Sequence, residues 1–148
     1  MENEKNIIAI ACDHAGYELK DKIKVILEAK GMLVKDFGTN GPDSVDYPDY
    51  VHPLAIAVEK GEASLGIIIC GSGNGVNITV NKHQGIRSAL CWNVELAKMA
   101  RLHNDANILA LSSRYVDEEI SLGCVEAFLT TDFEGGRHQN RVNKIACS

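Results

Sequence analysis

The sequence predicts a single α/β domain over residues 1–148, with a three-layer α/β/α Rossmann-like fold. Short β-branched runs alternate along the chain with segments whose apolar residues follow helical spacing. Strands separated by helices of about 10–15 residues form right-handed βαβ units, so their sheet is parallel and covered on both faces. No repeat, linker or low-complexity segment interrupts the alternation. We expect five strands in the order 2-1-3-4-5.

The first strand and helix are the clearest elements. Strand one is predicted at 7–12, where six apolar residues follow one another. The segment 19–30 has apolar residues at helical spacing, and Gly31 stands where a C-terminal cap belongs. Strand two is predicted at 32–37, and the turn-forming cluster 38–43 ends it.

The elements that follow continue the alternation. A helix is predicted over 47–60 despite Pro48 and Pro53, because Gly61 supplies a stop after a helical apolar pattern. The apolar, β-branched segment 64–70 is strand three. The later elements are a short helix at 76–82, strand four at 86–91, a helix at 94–102, strand five at 106–111, a helix at 116–129 and a last helix after the glycine pair 135–136.

Composition excludes several classes of protein. The net charge of -5 argues against a nucleic-acid surface and against binding to anionic membrane. No apolar run approaches the roughly 20 residues that span a bilayer, and residues 1–6 lack the apolar region of a signal peptide. The five cysteines are odd in number and contain no CxxC pair, which favours reduced thiols in a cytoplasm over disulfides or structural zinc.

A glycine-rich turn after strand three is the most informative motif. The sequence Cys70-Gly71-Ser72-Gly73-Asn74-Gly75 joins this strand to the next predicted helix. Glycines allow backbone N–H groups to converge on an anion at a helix N-terminus. The thiol of Cys70 adds a potential base or nucleophile, and a helix N-terminus favours its thiolate. The alternative is a buried strand cysteine beside a tight turn.

Polar residues also follow strand one. Asp13 and His14 suit acid–base work or binding of sugar hydroxyls, and they should lie beside Cys70 because strands one and three are predicted neighbours. The alternative is an Asp that caps the next helix beside an uninvolved His. His52 and His83 have no partner at a useful spacing and are interpreted as structural or exposed.

Two further clusters could bind a ligand. His103 and Asn104 stand between a helix and strand five, where a His can also simply interact with the helix dipole. Arg137 and Arg141 would share one face of the last helix and could bind a phosphate dianion, unless they form an ordinary solvated basic face. The spacing of acidic residues matches no calcium loop, and the glycines do not match the GxGxxG dinucleotide fingerprint, so we expect neither metal nor cofactor.

Taken together, these blocks resemble the ribose-5-phosphate isomerases of the B type. The resemblance covers nearly the whole chain and rests on the segments 12–16, 44–48, 69–73, 81–82, 85–87, 103–107 and 135–142. It implies a cofactor-free aldose–ketose isomerase that interconverts ribose 5-phosphate and ribulose 5-phosphate through an enediolate, in the non-oxidative branch of the pentose phosphate pathway. It also implies a cytoplasmic homodimer, or a homotetramer, with active sites at the subunit interface.

The resemblance assigns roles to particular residues. Cys70 would be the base that moves the proton between C1 and C2, and His103 would protonate the ring oxygen as the furanose opens. Ser72 belongs to the same catalytic group. The glycine-turn amides would hold the enediolate oxygens. The residues implied in substrate binding are Asp13, His14, Tyr47, Gly71, Gly73, Asn74, Gly75, Asn104, Arg114, Arg137 and Arg141.

Two positions depart from the common family pattern. Ser72 stands where many members have Thr, which keeps the hydroxyl group. Val76 stands where one branch of the family has a glutamate base, so Cys70 remains the only obvious base. Isomerases of allose 6-phosphate and galactose 6-phosphate share this scaffold and are the first alternative. A module that binds a phosphorylated ligand without turnover is the second, although it would not require both Cys70 and His103.

Overall fold

The computed structural model describes residues 7–147, which form a five-stranded parallel sheet between two layers of helices. The strands are β1 (Ile7–Cys12), β2 (Leu33–Asp36), β3 (Leu65–Cys70), β4 (Ser88–Leu90) and β5 (Ile108–Ser112). The helices are α1 (Tyr17–Ala29), α2 (Pro48–Glu59), α3 (Asn74–Val80), α4 (Val94–Asn104), α5 (Glu118–Thr130) and α6 (Arg137–Val142). The predicted fold class is confirmed.

The strand order is β2-β1-β3-β5-β4, so the predicted order of the last two strands is wrong. Every residue of β5 is buried, whereas β4 has three residues and all are partly exposed. A fully buried strand belongs inside a parallel sheet, because neighbouring strands and both helical layers cover it. The short β4 therefore takes the edge, and β5 lies between β3 and β4.

The two helical layers enclose separate apolar cores. On one face α1, α4 and α5 pack on the sheet through residues such as Ile23, Ala97 and Phe128. On the other face α2 and α3 pack through residues such as Leu54 and Val76. Right-handed connections place helices on opposite faces of the sheet when successive strands are added first in one direction and then in the other. The two helical layers follow from this rule.

Several element boundaries differ from those predicted by a few residues. β2 and β4 are shorter than 32–37 and 86–91, and β5 begins at Ile108 instead of residue 106. Helix α3 begins at Asn74 and thus includes the end of the glycine-rich turn. Boundaries move in this way because apolar residues beside a strand remain buried after the ladder of backbone hydrogen bonds has ended.

The sheet places the ends of β1 and β3 side by side, as predicted. Cys12 pairs with Ile69 in the parallel register, so the residues that follow each strand leave the sheet at one point. Open α/β sheets bind ligands at this kind of switch point, outside the carboxyl ends of the strands. Within residues 7–147 no helix combines the length and the apolar character needed to cross a bilayer.

Candidate active site

A cavity of about 600 Å³ opens at the carboxyl edge of the sheet, and residues that follow β1 and β5 and the start of α2 line it. Its walls include four residues that the sequence analysis selected, namely Asp13, His14, Tyr47 and Arg114. Together with Cys70 and the glycine-rich turn they are called the carboxyl-edge group here. The structure thus brings these predicted site residues together in one region.

Cys70 is the last residue of β3 and is 5% exposed. The chain then turns sharply at Gly73, whose φ of +80° is in the left-handed region that favours glycine. A Cβ at Gly73 would lie 2.5 Å from Leu90 Cδ1, so the turn also needs the missing side chain for space. The result is a thiol followed by the N-terminal turn of α3, where backbone N–H groups lack helical partners.

The other side of the turn is packed against Tyr47. A Cβ at Gly75 would come within 2.5 Å of the Tyr47 ring, so glycine permits close contact between α3 and the residue before α2. The hydroxyl of Ser72 accepts a hydrogen bond from Asn74 N at 3.1 Å. Both Ser72 and Asn74 are exposed, and their hydrogen bond holds the turn in its open shape.

Backbone and hydroxyl hydrogen bonds tie the glycine turn to the end of β5. Ser112 Oγ donates to Gly71 O at 2.7 Å, and Arg114 N donates to the same oxygen at 3.0 Å. The Arg114 guanidinium lies over Gly71, since its Nη1 would be 3.1 Å from a Cβ there. An exposed cation therefore stands beside the turn, where it can attract an anionic ligand.

The loop after β1 presents Asp13 and His14 in defined orientations. Asp13 is buried, and its carboxylate accepts a hydrogen bond from Ala15 N at 2.9 Å, which fixes the turn. His14 Nδ1 accepts a hydrogen bond from Val45 N at 3.2 Å. In the neutral ring the proton must then be on Nε2, so His14 can donate a hydrogen bond through Nε2.

Three further cysteines are buried, namely Cys12, Cys91 and Cys124. Burial raises the pKa of Cys12 to about 12, although Lys20 opposes this effect. Burial likewise raises the pKa of Cys91 to about 12, and it raises the pKa of Cys124. These three thiols remain protonated near neutral pH and are poor nucleophiles.

The remaining predicted residues form a second cluster, called the amino-edge group here: His103, Asn104, Arg137 and Arg141. His103 and Asn104 are the last residues of α4, before β5 begins. Helix α6, which bears both arginines, lies beside the end of α4. The His138 ring of α6 stacks on the His103 ring at a centroid distance of 4.2 Å. Arg137 and Arg141 are exposed.

The two groups lie at opposite edges of the sheet. Cys70 pairs with Ser112 at the end of β5, whereas His103 precedes Ile108, the first residue of the same strand. Five residues of strand at about 3.3 Å each separate the two edges by more than 13 Å. One chain therefore does not bring Cys70 and His103 into contact with a single small ligand.

His52 and His83, which were interpreted from the sequence as structural or exposed, are partly buried and contact each other. His52 Nδ1 and His83 Nε2 lie 2.7 Å apart, and His83 Nδ1 lies 3.3 Å from Glu59 Oε1. Their separation of 31 residues in sequence gave no sign of this contact. His138 was also missed, although it follows Arg137 directly in a segment that the sequence analysis selected.

Comparison with known proteins gives a consistent family. The ribose/galactose isomerase family matches residues 8–145. Ribose-5-phosphate isomerase B of Escherichia coli is 45% identical over 138 residues, which cover 93% of this chain and 93% of that protein. The chain belongs to the ribose/galactose isomerase family. It is an isomerase, as its family membership requires.

Solved structures of family members have the same architecture. Ribose-5-phosphate isomerase B of Clostridium thermocellum superposes with a TM-score of 0.92 at 50% identity, covering 94% of each chain. The Mycoplasma genitalium enzyme with bound ribulose-5-phosphate gives a TM-score of 0.90 at 44% identity, covering 94% of this chain and 93% of that one.

Proposed function

We propose that this isomerase interconverts D-ribose 5-phosphate and D-ribulose 5-phosphate in the cytoplasm, in the non-oxidative branch of the pentose phosphate pathway. The observation that carries the proposal is the thiol of Cys70 at the start of a glycine turn that packs against Tyr47 and Arg114, two residues of the cavity wall. The ribulose-5-phosphate bound in the related Mycoplasma genitalium structure supports the choice of substrate.

The carboxyl-edge group would carry out the proton transfer. The Cys70 thiolate takes the proton from C2 of the open-chain aldose, and the electron pair moves to form an enediolate. The proton of the 2-hydroxyl group passes to O1, and the proton held by Cys70 is delivered to C1. The C2 carbonyl of the ketose forms without net change in redox state. Free N–H groups of the glycine turn would stabilise the negative oxygens, and Asp13 and His14 would hold sugar hydroxyls.

The amino-edge group would act at the other end of the substrate. His103 would donate a proton to the ring oxygen and open the furanose, and Asn104 would bind the sugar. The guanidinium groups of Arg137 and Arg141 are exposed and share one face of a short helix, an arrangement that suits a phosphate dianion. No metal or organic cofactor enters this mechanism.

We propose that the two groups meet between two copies of the chain. Within one chain they are separated by the length of β5, so a complete site needs the carboxyl-edge group of one copy and the amino-edge group of another. Exposed aromatic residues support such a contact: Trp92 is 57% exposed after β4, and Tyr115 is 78% exposed after β5. Because β4 and β5 are neighbours, both side chains lie at the carboxyl edge of the sheet, and contiguous exposed apolar patches mark interaction surfaces. We expect a homodimer, which can assemble further into a tetramer.

A coupled assay tests the proposed substrate. The EDTA-treated enzyme should convert ribose 5-phosphate with a higher kcat/KM than allose 6-phosphate or galactose 6-phosphate, measured side by side. Preference for a six-carbon sugar would reassign the substrate within the family. Absence of turnover with all three, or loss of activity on chelation that one metal restores, would contradict the proposed reaction.

A further inference from the structure

A cluster of two imidazoles and a carboxylate lies beside the end of α4. It consists of His103 in the last turn of that helix, Glu134 in the loop before α6, and His138 in the first turn of α6. One potential ligand atom from each residue lies within 4.8 Å of the other two. Only His103 has a role in the proposed reaction, so the proximity of the other two needs a separate explanation.

His138 provides a second observation that points to a ligand. Its side chain is 8% exposed, and its Nε2 atom is buried without a hydrogen-bond partner among the described residues. A buried nitrogen without a hydrogen-bond partner destabilises the fold, because burial removes the water molecule that would otherwise bond to it. Glu134 Oε1 lies 3.5 Å from this nitrogen. When two ligand atoms each lie about 2.0–2.1 Å from one tetrahedral metal ion, they are roughly 3.4 Å from each other. The distance between His138 Nε2 and Glu134 Oε1 therefore matches that of two ligands on one ion.

The backbone holds the three residues near one another. Glu134 N donates a hydrogen bond to Leu102 O at 3.0 Å, and the Arg101 guanidinium donates to Thr131 O at 3.1 Å, so the loop before α6 is fixed to α4. The imidazole rings of His103 and His138 are nearly parallel, with 16° between their planes. Binding of one ion by both rings therefore requires rotation of His103, whose side chain is only partly buried.

The donor set indicates the class of metal. Two imidazole nitrogens and one carboxylate oxygen are typical ligands of Zn²⁺ and similar divalent transition metals, and three protein ligands leave a fourth position open. Calcium and magnesium prefer oxygen ligands, so they do not suit this cluster.

We propose that His103, Glu134 and His138 form a binding site for Zn²⁺, and that the bound ion inhibits the isomerase. A His103 nitrogen that is coordinated to zinc has no proton to donate, and the ring must turn away from its position in the free enzyme. Zinc binding would then block opening of the furanose. The binding site stands on the geometry alone, whereas the inhibition rests on the proposed role of His103.

Zinc binding is tested first, without reference to activity. Isothermal titration with ZnCl₂ uses the full chain carrying Cys70→Ser and Cys147→Ser, so that accessible thiols do not bind the ion. We expect one ion per chain, and at least a tenfold loss of affinity on adding Glu134→Gln or His138→Gln. Glu126→Gln, which changes an exposed carboxylate on α5 that pairs with Lys30, should bind zinc like its parent.

Glu134→Gln decides the result, because Glu134 is exposed and its replacement should leave the fold intact. Visible absorption of Co²⁺ bound in place of Zn²⁺ should also disappear in this variant. Equal zinc affinity in Glu134→Gln and its parent would overturn the site.

Inhibition is then measured with native Cys70 in place. Zinc should inhibit turnover of ribose 5-phosphate reversibly, with EDTA restoring the rate, and Glu134→Gln should keep its basal activity while becoming resistant to zinc. Binding that depends on Glu134 without inhibition would support the metal site and overturn the inhibitory role, together with the assignment of His103 to ring opening.

Discussion

The thiol of Cys70 is the residue on which the proposed proton transfer depends. Replacement by serine preserves the size of the side chain but replaces a thiolate by a hydroxyl, which is a far weaker base at neutral pH. We expect kcat of Cys70→Ser to fall by about 10²–10⁴-fold with little change in substrate affinity, as loss of a general base does. Steady-state kinetics and ligand titration measure both quantities, with Cys147→Ser, an exposed cysteine, as the control. Near-parental kcat would mean that another residue moves the proton.

Chemical modification should separate Cys70 from the other buried thiols. Because burial raises the pKa of Cys12, Cys91 and Cys124, iodoacetamide should alkylate them slowly near neutral pH. Peptide mass spectrometry should find the modification at Cys70 and at the exposed Cys147. Bound ribose 5-phosphate should protect Cys70 alone. Inactivation that follows alkylation of one of the other three thiols would contradict this assignment.

Sequence reasoning succeeded at residues whose neighbours are close in the chain. The glycine turn at Cys70 could be predicted because strand, turn and helix are consecutive, and the structure has that arrangement. The contact of His14 with Val45 and that of His52 with His83 each join residues 31 positions apart. Such contacts depend on the path of the intervening helices, which no local pattern encodes.

At the scale of secondary-structure elements, a buried ion pair anchors the segment that follows β2. Lys20 on α1 is fully buried, and its ammonium group donates to both oxygens of Asp36 at 2.8 and 2.7 Å and to Asn40 Oδ1 at 2.6 Å. Lys24 Nζ donates to Asp36 Oδ2 at 2.8 Å. This network fixes the start of the loop that leads to the cavity wall at Val45 and Tyr47.

Removing the buried cation should cost far more stability than removing an exposed one. Lys20→Met leaves Asp36 and Asn40 without their buried donor, and loss of one partner of a buried pair typically costs about 3–5 kcal/mol. The pair of Lys22 and Glu118 has side chains that are 57% and 47% exposed, so Lys22→Met should change the free energy of unfolding by less than about 1 kcal/mol. Urea denaturation of both variants checks the difference, and equal effects would contradict the role of burial.

The same network predicts a dependence of stability on pH. Burial alone would raise the pKa of Asp36, but hydrogen bonds from Lys20, Lys24 and Gly38 N outweigh it and lower the pKa below its ordinary value of 3.8. The ionised carboxylate therefore stabilises the fold above about pH 4, and this contribution is lost as the pH falls through the lowered pKa. Urea denaturation of Asp36→Asn should show a smaller loss of stability below pH 4 than the parent does. An identical acid dependence would show that Asp36 is not involved.

The apolar pattern of the sequence could not predict the order of the last two strands in the sheet. Apolar runs identified all five strands, but the runs at 86–91 and 106–111 do not show which of them lies at the edge. The decision depends on length and burial in the folded sheet, since β4 retains only three partly exposed residues. Predicting the edge strand from sequence requires the hydrogen-bonded length of each strand, which the apolar pattern overestimates.

At the scale of the whole molecule, the predicted site residues form two groups at opposite edges of the sheet. The sequence analysis placed Cys70, His103 and the two arginines in one active site. This prediction requires that more than one chain contributes to the site. Strand β5 separates the groups, with Ser112 beside Cys70 at one end and His103 before the other end. The order of strands along the sheet does not remove this separation, because α4 returns the chain to the amino edge before β5 starts.

Complementation between two inactive variants tests this central claim most directly. Cys70→Ser removes the thiol of the carboxyl-edge group, and His103→Asn removes the imidazole of the amino-edge group. Each homodimer should therefore be nearly inactive. Co-expression with two affinity tags yields heterodimers, in which one of two sites combines the intact Cys70 of one chain with the intact His103 of the other. Random association should restore about one quarter of the parental activity to the mixture, and purified heterodimers should have about one half. Activity no higher than that of the separate variants, in heterodimers shown to have formed, would contradict a site shared between two chains.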